Sequence, residues 1–162
     1  MESKDALQTL LHSFERYYNV TTDGVSAPFA AEAEFHSHSE QYFLVKVAHV
    51  ADVDSNEFVF FSVSDSLSAE KVAELAHIAW ERGISRVKPY MGHRNSDVTF
   101  IALADKIDDD AFKQIKKTKY YKSYKFSLYG WSHFRALAYE TSTGRLGYNR
   151  FGKDLQKLTG NL

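Results

Sequence analysis

A chain of 162 residues with 44% hydrophobic, 15% aromatic and 25% charged residues has the length and balance of one globular domain with its own core, which excludes a disordered segment. It has no cysteine, which excludes a disulfide framework, a thiolate metal site and a cysteine nucleophile; no apolar run reaches the length of a signal-peptide core or a membrane span, so a cytoplasmic protein without membrane contact is expected. The net charge of −1 conceals an asymmetry: residues 1–112 carry 9 Lys and Arg against 19 Asp and Glu, net −10, whereas residues 113–162 carry 11 against 2, net +9.

Leu7, Leu10, Leu11, Phe14 and Tyr18 recur at helical spacing behind Ser3, which stands where an N-cap belongs, and predict a first helix. Residues 19–30, with Thr-Thr-Asp-Gly and Pro28, read as a polar connection. Residues 31–38 then alternate, placing Ala31, Ala33, Phe35 and Ser37 on one face and Glu32, Glu34, His36 and His38 on the other, the pattern of a half-exposed strand. Runs at 42–50 and 57–63, separated by short turns, extend it into an antiparallel meander. Ser68 caps a second helix that turns Val72, Leu75, Ala76 and Ala79 inward and ends at Gly83.

A polar loop at 91–96 leads into the apolar run 98–104, which predicts a central strand. Asp108, Asp109 and Asp110 load the positive end of a third helix reaching about Thr118, with Phe112 and Ile115 turned inward. Segments 122–128, 131–140 and 145–150 read as a second meander, in which Tyr124, Phe126 and Leu128 mix with the core, and a short helix near 153–158 closes the chain. The order α-βββ-α-β-α-βββ-α predicts an α+β fold: two three-stranded antiparallel meanders and a central strand form one mixed sheet, with helices packed mainly on one side. No linker divides residues 1–162, so one domain is expected.

The scattered glycines form neither a dinucleotide-binding nor a P-loop pattern, and the Gly-x-Ser-x-Gly elbow and His-Glu-x-x-His helix are missing too. No cofactor is expected. His36 and His38 point the same way about 7 Å apart beside Glu34, a weak metal-site candidate that the wet face of an outer strand explains better. Glu74, His77 and Glu81 share a stripe that reads as a solvated helix face. His93 and Arg94 sit just before the central strand, where a rigid element positions a base and an anion holder.

The strongest signal is a tract of interleaved cations and rings. Lys116, Lys117, Lys119, Lys122, Lys125, Arg135, Arg145 and Arg150 are candidates for holding an anion; Tyr121, Tyr129 and Trp131 are candidates for stacking. Nucleic-acid surfaces need both, cations to displace counterions and flat rings to stack on unpaired bases. Against this, tyrosines form strands well, edge lysines discourage strand pairing, and an isoelectric point near 6.7 is low for a dedicated nucleic-acid binder. The order α-βββ-α-β is also that of restriction-endonuclease-like nucleases. Their Glu-x-Lys occurs only at Glu2-Ser3-Lys4, outside any strand, so a divergent site would have to use Glu34, Lys46, Asp52 and Glu57.

The stretches 39–46, 57–60, 126–131 (Phe-Ser-Leu-Tyr-Gly-Trp) and 149–155 (Asn-Arg-Phe-Gly-Lys-Asp-Leu) resemble a family of small uncharacterised bacterial proteins, a domain of unknown function without assigned activity. The resemblance spans most of the chain. It implies a bacterial, self-contained intracellular domain, lends no catalytic residue, and draws attention to Gly130-Trp131 and Asn149-Arg150 as a tight turn and a hydrogen-bonding corner. The expected function is a binding or interaction domain that meets nucleic acid or an acidic protein through its basic aromatic C-terminal third. A divergent metal-dependent nuclease and a self-associating homo-oligomer held by opposite charges are the alternatives.

Overall fold

Near-continuous apolar runs such as 58–61 and 98–104 cannot leave either face of a strand in water and demand a sheet covered on both sides. The computed structural model, which describes residues 1–36, 55–89 and 95–162, has that architecture. In chain order the elements are α1 (Ser3–Phe14), β1 (Asn19–Thr21), β2 (Ala31–His36), β3 (Ser55–Leu67), α2 (Ala69–Arg86), β4 (Asn95–Ile107), α3 (Asp109–Lys117), β5 (Tyr121–Ser123), β6 (Trp131–Glu140), β7 (Leu146–Tyr148) and a C-terminal 3-10 segment (Arg150–Asn161). The seven strands form one mixed sheet in the order β1-β2-β3-β4-β6-β5, with β7 also on β6. Strands β3, β4 and β6 are parallel neighbours; the other pairings are antiparallel.

The α+β class, the mixed sheet and the central position of residues 98–104 follow the sequence expectation. The helices do not stay on one side. α2 and α3 pack Val72, Leu75, Ala79, Trp80 and Ile115 against Phe58, Phe60, Phe100 and Phe134. On the opposite face α1 and the 3-10 segment pack Leu7, Leu10, Phe14 and Leu155 against Val59, Phe61, Ile101 and Leu137. Both α2 and α3 cross over between parallel strands, and crossovers of one hand carry their helices to one face; the other face falls to what precedes and follows.

The first meander also differs. β2 lies directly against β3, from Ala31 opposite Phe61 to His36 opposite Asn56, and its other edge takes β1 from the stretch expected to be a loop. The run at 42–50 lies outside the described residues. α2 passes through Gly83 to Arg86, with Ser68 accepting from the Lys71 amide as its cap. Gly83 serves close packing, because a Cβ there would stand 2.6 Å from Cγ2 of Val98. α1 begins at Ser3, whose amide donates to Asp105, so Ser3 is not its N-cap.

The second meander is one long strand with two short ones on the same edge. β5 pairs with residues 131–133 of β6 and β7 with 137–139. Between them, the buried Asn149 completes the ladder: Oδ1 accepts from Ala136 N at 2.9 Å, Nδ2 donates to Phe134 O at 2.9 Å, and its amide donates to Ala136 O at 3.2 Å. Gly152 lets the 3-10 segment close on this seam, since a Cβ there would lie 2.3 Å from Ala136 O. The hydrogen-bonding corner expected at Asn149 is this seam. No helix among the described residues is long and apolar enough to cross a membrane.

Candidate functional site

Pairing fixes which side chains meet at the outer edge. Tyr121 stands opposite His133, and Ser123 opposite Trp131, so all four side chains share the α1 face. The 3-10 segment begins on the same side and brings Phe151 onto His133. Ring centroids are 5.1 Å apart for Tyr121 and His133, and 4.2 Å for His133 and Phe151. Tyr121 is 52% and Phe151 38% exposed, so the row of three rings opens to solvent. Burial, and then the charge of Lys119, lowers the His133 pKa from its ordinary value, keeping the central ring neutral at pH 7. Arg150 lies over Phe151, its Cζ 5.6 Å from the ring centroid.

Between β5 and β6 the chain makes a turn that strand composition concealed. Lys125, Phe126 and Ser127 have φ of 50°, 54° and 69°, a left-handed backbone costing about 1–2 kcal/mol per residue. The turn is pinned at its base, where Tyr124 N donates to Gly130 O, Tyr129 N donates to Tyr124 O, and the buried Tyr124 hydroxyl meets Ser132. Tyr124 therefore joins the interior as expected, whereas Phe126 (99% exposed) and Leu128 (75%) stand in solvent and not in the core. Trp131 and Tyr129 are partly buried at this base, outside the row of rings.

The eight candidate cations divide into two groups. Arg135 Nη1 donates to Glu57 Oε2 at 2.7 Å and its Nε to Phe151 O at 3.2 Å. Arg145 grips both oxygens of the buried Glu140, reaches Asp109 at 2.9 Å and Ile107 O at 3.1 Å, and lies over Phe112. These hydrogen bonds hold the Glu140 carboxyl down at about 2. Part of the charge asymmetry is thus internal, basic C-terminal arginines meeting acidic partners from β3 and α3. Lys116, Lys117, Lys119, Lys122, Lys125 and Arg150 are exposed.

A second constellation escaped the sequence reading. Glu57 of β3 sits opposite Asp97 of β4, and Thr99 of β4 opposite Arg135 of β6, all on the α1 face. Glu57 accepts from the Tyr18 hydroxyl, from Thr99 Oγ1 at 2.5 Å and from Arg135. Burial, and then the charge of Glu57, raises the Tyr18 hydroxyl pKa well above the phenol range. The same two causes push Asp97 up to about 6. A pocket of ≈ 220 Å³ opens beside this cluster, with Tyr17, Tyr18 and Leu158 among its walls, Glu57 and Arg135 at its buried end and the exposed Asp154 at its mouth. The available signal was an ionisable residue inside each of three apolar strands, a pattern that burial tolerates only in paired groups.

The remaining candidates do not converge. His36 contacts Asn56 at 3.1 Å and Glu34 at 3.3 Å, while Arg86 claims Glu32 and Glu34. His38, His93, Arg94, Lys46 and Asp52 lie outside the described residues. Glu34 pairs with Phe58 and Glu57 with Phe35, which puts the two carboxylates on opposite faces of the sheet, where they cannot share a metal ion. No group of three His, Asp or Glu suited to a metal ion occurs among the described residues. Glu74 pairs with Lys71 on the exposed side of α2.

Residues 2–160 match a family model described as a domain of unknown function, DUF8052. No curated protein and no solved structure matches the chain.

Proposed function

The chain belongs to the DUF8052 family, whose description carries no activity to inherit, and we propose from the geometry that it binds single-stranded nucleic acid along the outer edge of β6. The observation that carries this reading is the row Tyr121–His133–Phe151, three rings in contact with both outer members open to solvent. Unpaired bases stack on such rings irrespective of sequence, each stack contributing about 1–3 kcal/mol. Lys119, whose charge acts on His133, and Arg150, which lies over Phe151, are exposed at these rings and supply charge for the phosphates. Of the two acidic residues after residue 112, Glu140 is buried and neutralised by Arg145, which leaves the exposed Asp154 against 11 Lys and Arg. A cysteine-free composition suits a reducing compartment, and we place this activity in the bacterial cytoplasm.

Fluorescence anisotropy with labelled oligothymidylate and oligouridylate tests the reading. Wild-type protein should bind with an affinity that falls steeply as salt rises. Tyr121→Ala and Phe151→Ala should each weaken binding about tenfold, the equivalent of ~1.4 kcal/mol. No binding at low salt, or binding indifferent to both substitutions, would remove the proposal.

A further inference from the structure

The pocket between the end of α1 and the 3-10 segment is separate from the row of rings, and we infer that it takes a small organic cation, an amine or guanidinium carried on an apolar body. Its ≈ 220 Å³ leaves room for an aryl or alkyl amine. Phe14, Tyr17, Tyr18, Leu155 and Leu158 line it, an apolar wall whose aromatic faces attract a cation.

The charge balance selects the sign of the ligand. Among the described residues Arg135 is the one cation lining the pocket, and Glu57, Asp97 and Asp154 all act on it electrostatically. With Asp97 ionised, the one guanidinium meets two part-buried carboxylates, Glu57 and Asp97, a surplus of one negative charge to which the exposed Asp154 adds a screened third. A partly buried surplus of this kind is costly until a counter-charge arrives. The acceptors for one are present. Among the described residues Glu57 Oε1 receives only the Tyr18 hydroxyl, so a lone-pair site remains on it there. Asp154, at the mouth, enters no ion pair among the described residues. An anion would meet these carboxylates with only Arg135 to attract it, and two of that side chain's nitrogens are already committed to Glu57 and Phe151. Arg16, over the Tyr17 ring at 5.2 Å, is solvent-exposed, so its opposing charge is screened.

Calorimetric titration of the full chain with phenethylamine, phenylacetate and phenylethanol, which share an apolar body and differ in charge, tests this. The amine should bind in the millimolar range or tighter and the acid at least about tenfold more weakly. Asp154→Asn, a surface change, should weaken the amine about fivefold, and Leu158→Trp, which fills the pocket, should abolish its binding while circular dichroism reports an intact fold. Acid binding equal to or tighter than amine, no amine binding to folded wild type, or amine binding that survives Leu158→Trp would each overturn the proposal. Oligonucleotide binding by the same variants is read in parallel, so that loss of one site is not mistaken for loss of the other.

Discussion

Replacing Asn149 by alanine removes a side chain that does the work of a missing strand. Three buried backbone groups lose their partner at once: the Ala136 amide and the carbonyls of Phe134 and Thr118, held at 2.9, 2.9 and 3.1 Å. Residues 134 and 136 are fully buried and Thr118 is 9% exposed, so water reaches these groups only through the space the amide vacates. An unsatisfied buried polar group costs about 1–3 kcal/mol, and with partial hydration the three together cost ~4 kcal/mol. That is a large fraction of the stability of a domain this size. With a urea m-value of ~2 kcal/mol/M, the unfolding midpoint falls by ~2 M. Asn149→Asp sharpens the test. It keeps the acceptor for Ala136 but aims a carboxylate oxygen at two carbonyls, so at pH 7 it should be no more stable than the alanine variant, and it should recover in acid once protonated. A loss below ~1 kcal/mol for the alanine variant, or a wild-type midpoint for the aspartate at pH 7, would refute the reasoning.

Two carboxylates should respond to pH in opposite directions. Asp97, raised to about 6 by burial and by Glu57, binds its proton more tightly folded than unfolded, so its ionisation erodes stability between about pH 4 and 6. Asp97→Asn should therefore exceed wild type at pH 7 by up to ~3 kcal/mol and approach it near pH 4; a pH-independent difference in urea titrations would contradict this. Glu140, held at about 2 by Arg145, contributes stability that is complete above its ordinary range and lost as the pH falls through 2. Thermal midpoints of Glu140→Gln should thus lie well below wild type at pH 7 and converge with it near pH 2. Gly152→Ala should push the 3-10 segment off Ala136 O, lowering stability by ~2 kcal/mol and weakening oligonucleotide binding through Phe151, checked by urea titration and anisotropy on one sample.

Local chemistry was legible in the sequence. The Ser68 cap, the inward stripe of α2 and the apolar run of β4 each announce themselves within a few residues, and each stands where expected. Relations between distant segments were not. Arg135 meets Glu57 across 78 residues and Arg145 meets Asp109 across 36, so nothing in the basic tract marked two of its members as internal. Periodicity tells which side of a helix is buried but not which face of the sheet it covers, hence the misplaced α1. Phe126 and Leu128 have strand-like composition, yet the left-handed turn at 125–127 takes them out of the sheet; a Lys-Phe-Ser stretch without glycine gave no warning of positive φ.

The layer over the α1 face is assembled from segments at opposite extremes of the described chain, α1 near its start and the 3-10 segment near its end. A ribosome delivers α1 before the sheet and Leu155 after it. Until that leucine emerges, Val59, Phe61, Ile101 and Leu103 lie under an incomplete cover, and a chain stopping at Tyr148 would lack Asn149 as well as its roof. Synthesis therefore passes through a long interval in which one side of the sheet is sticky, and chaperone demand should persist until the 3-10 segment has emerged.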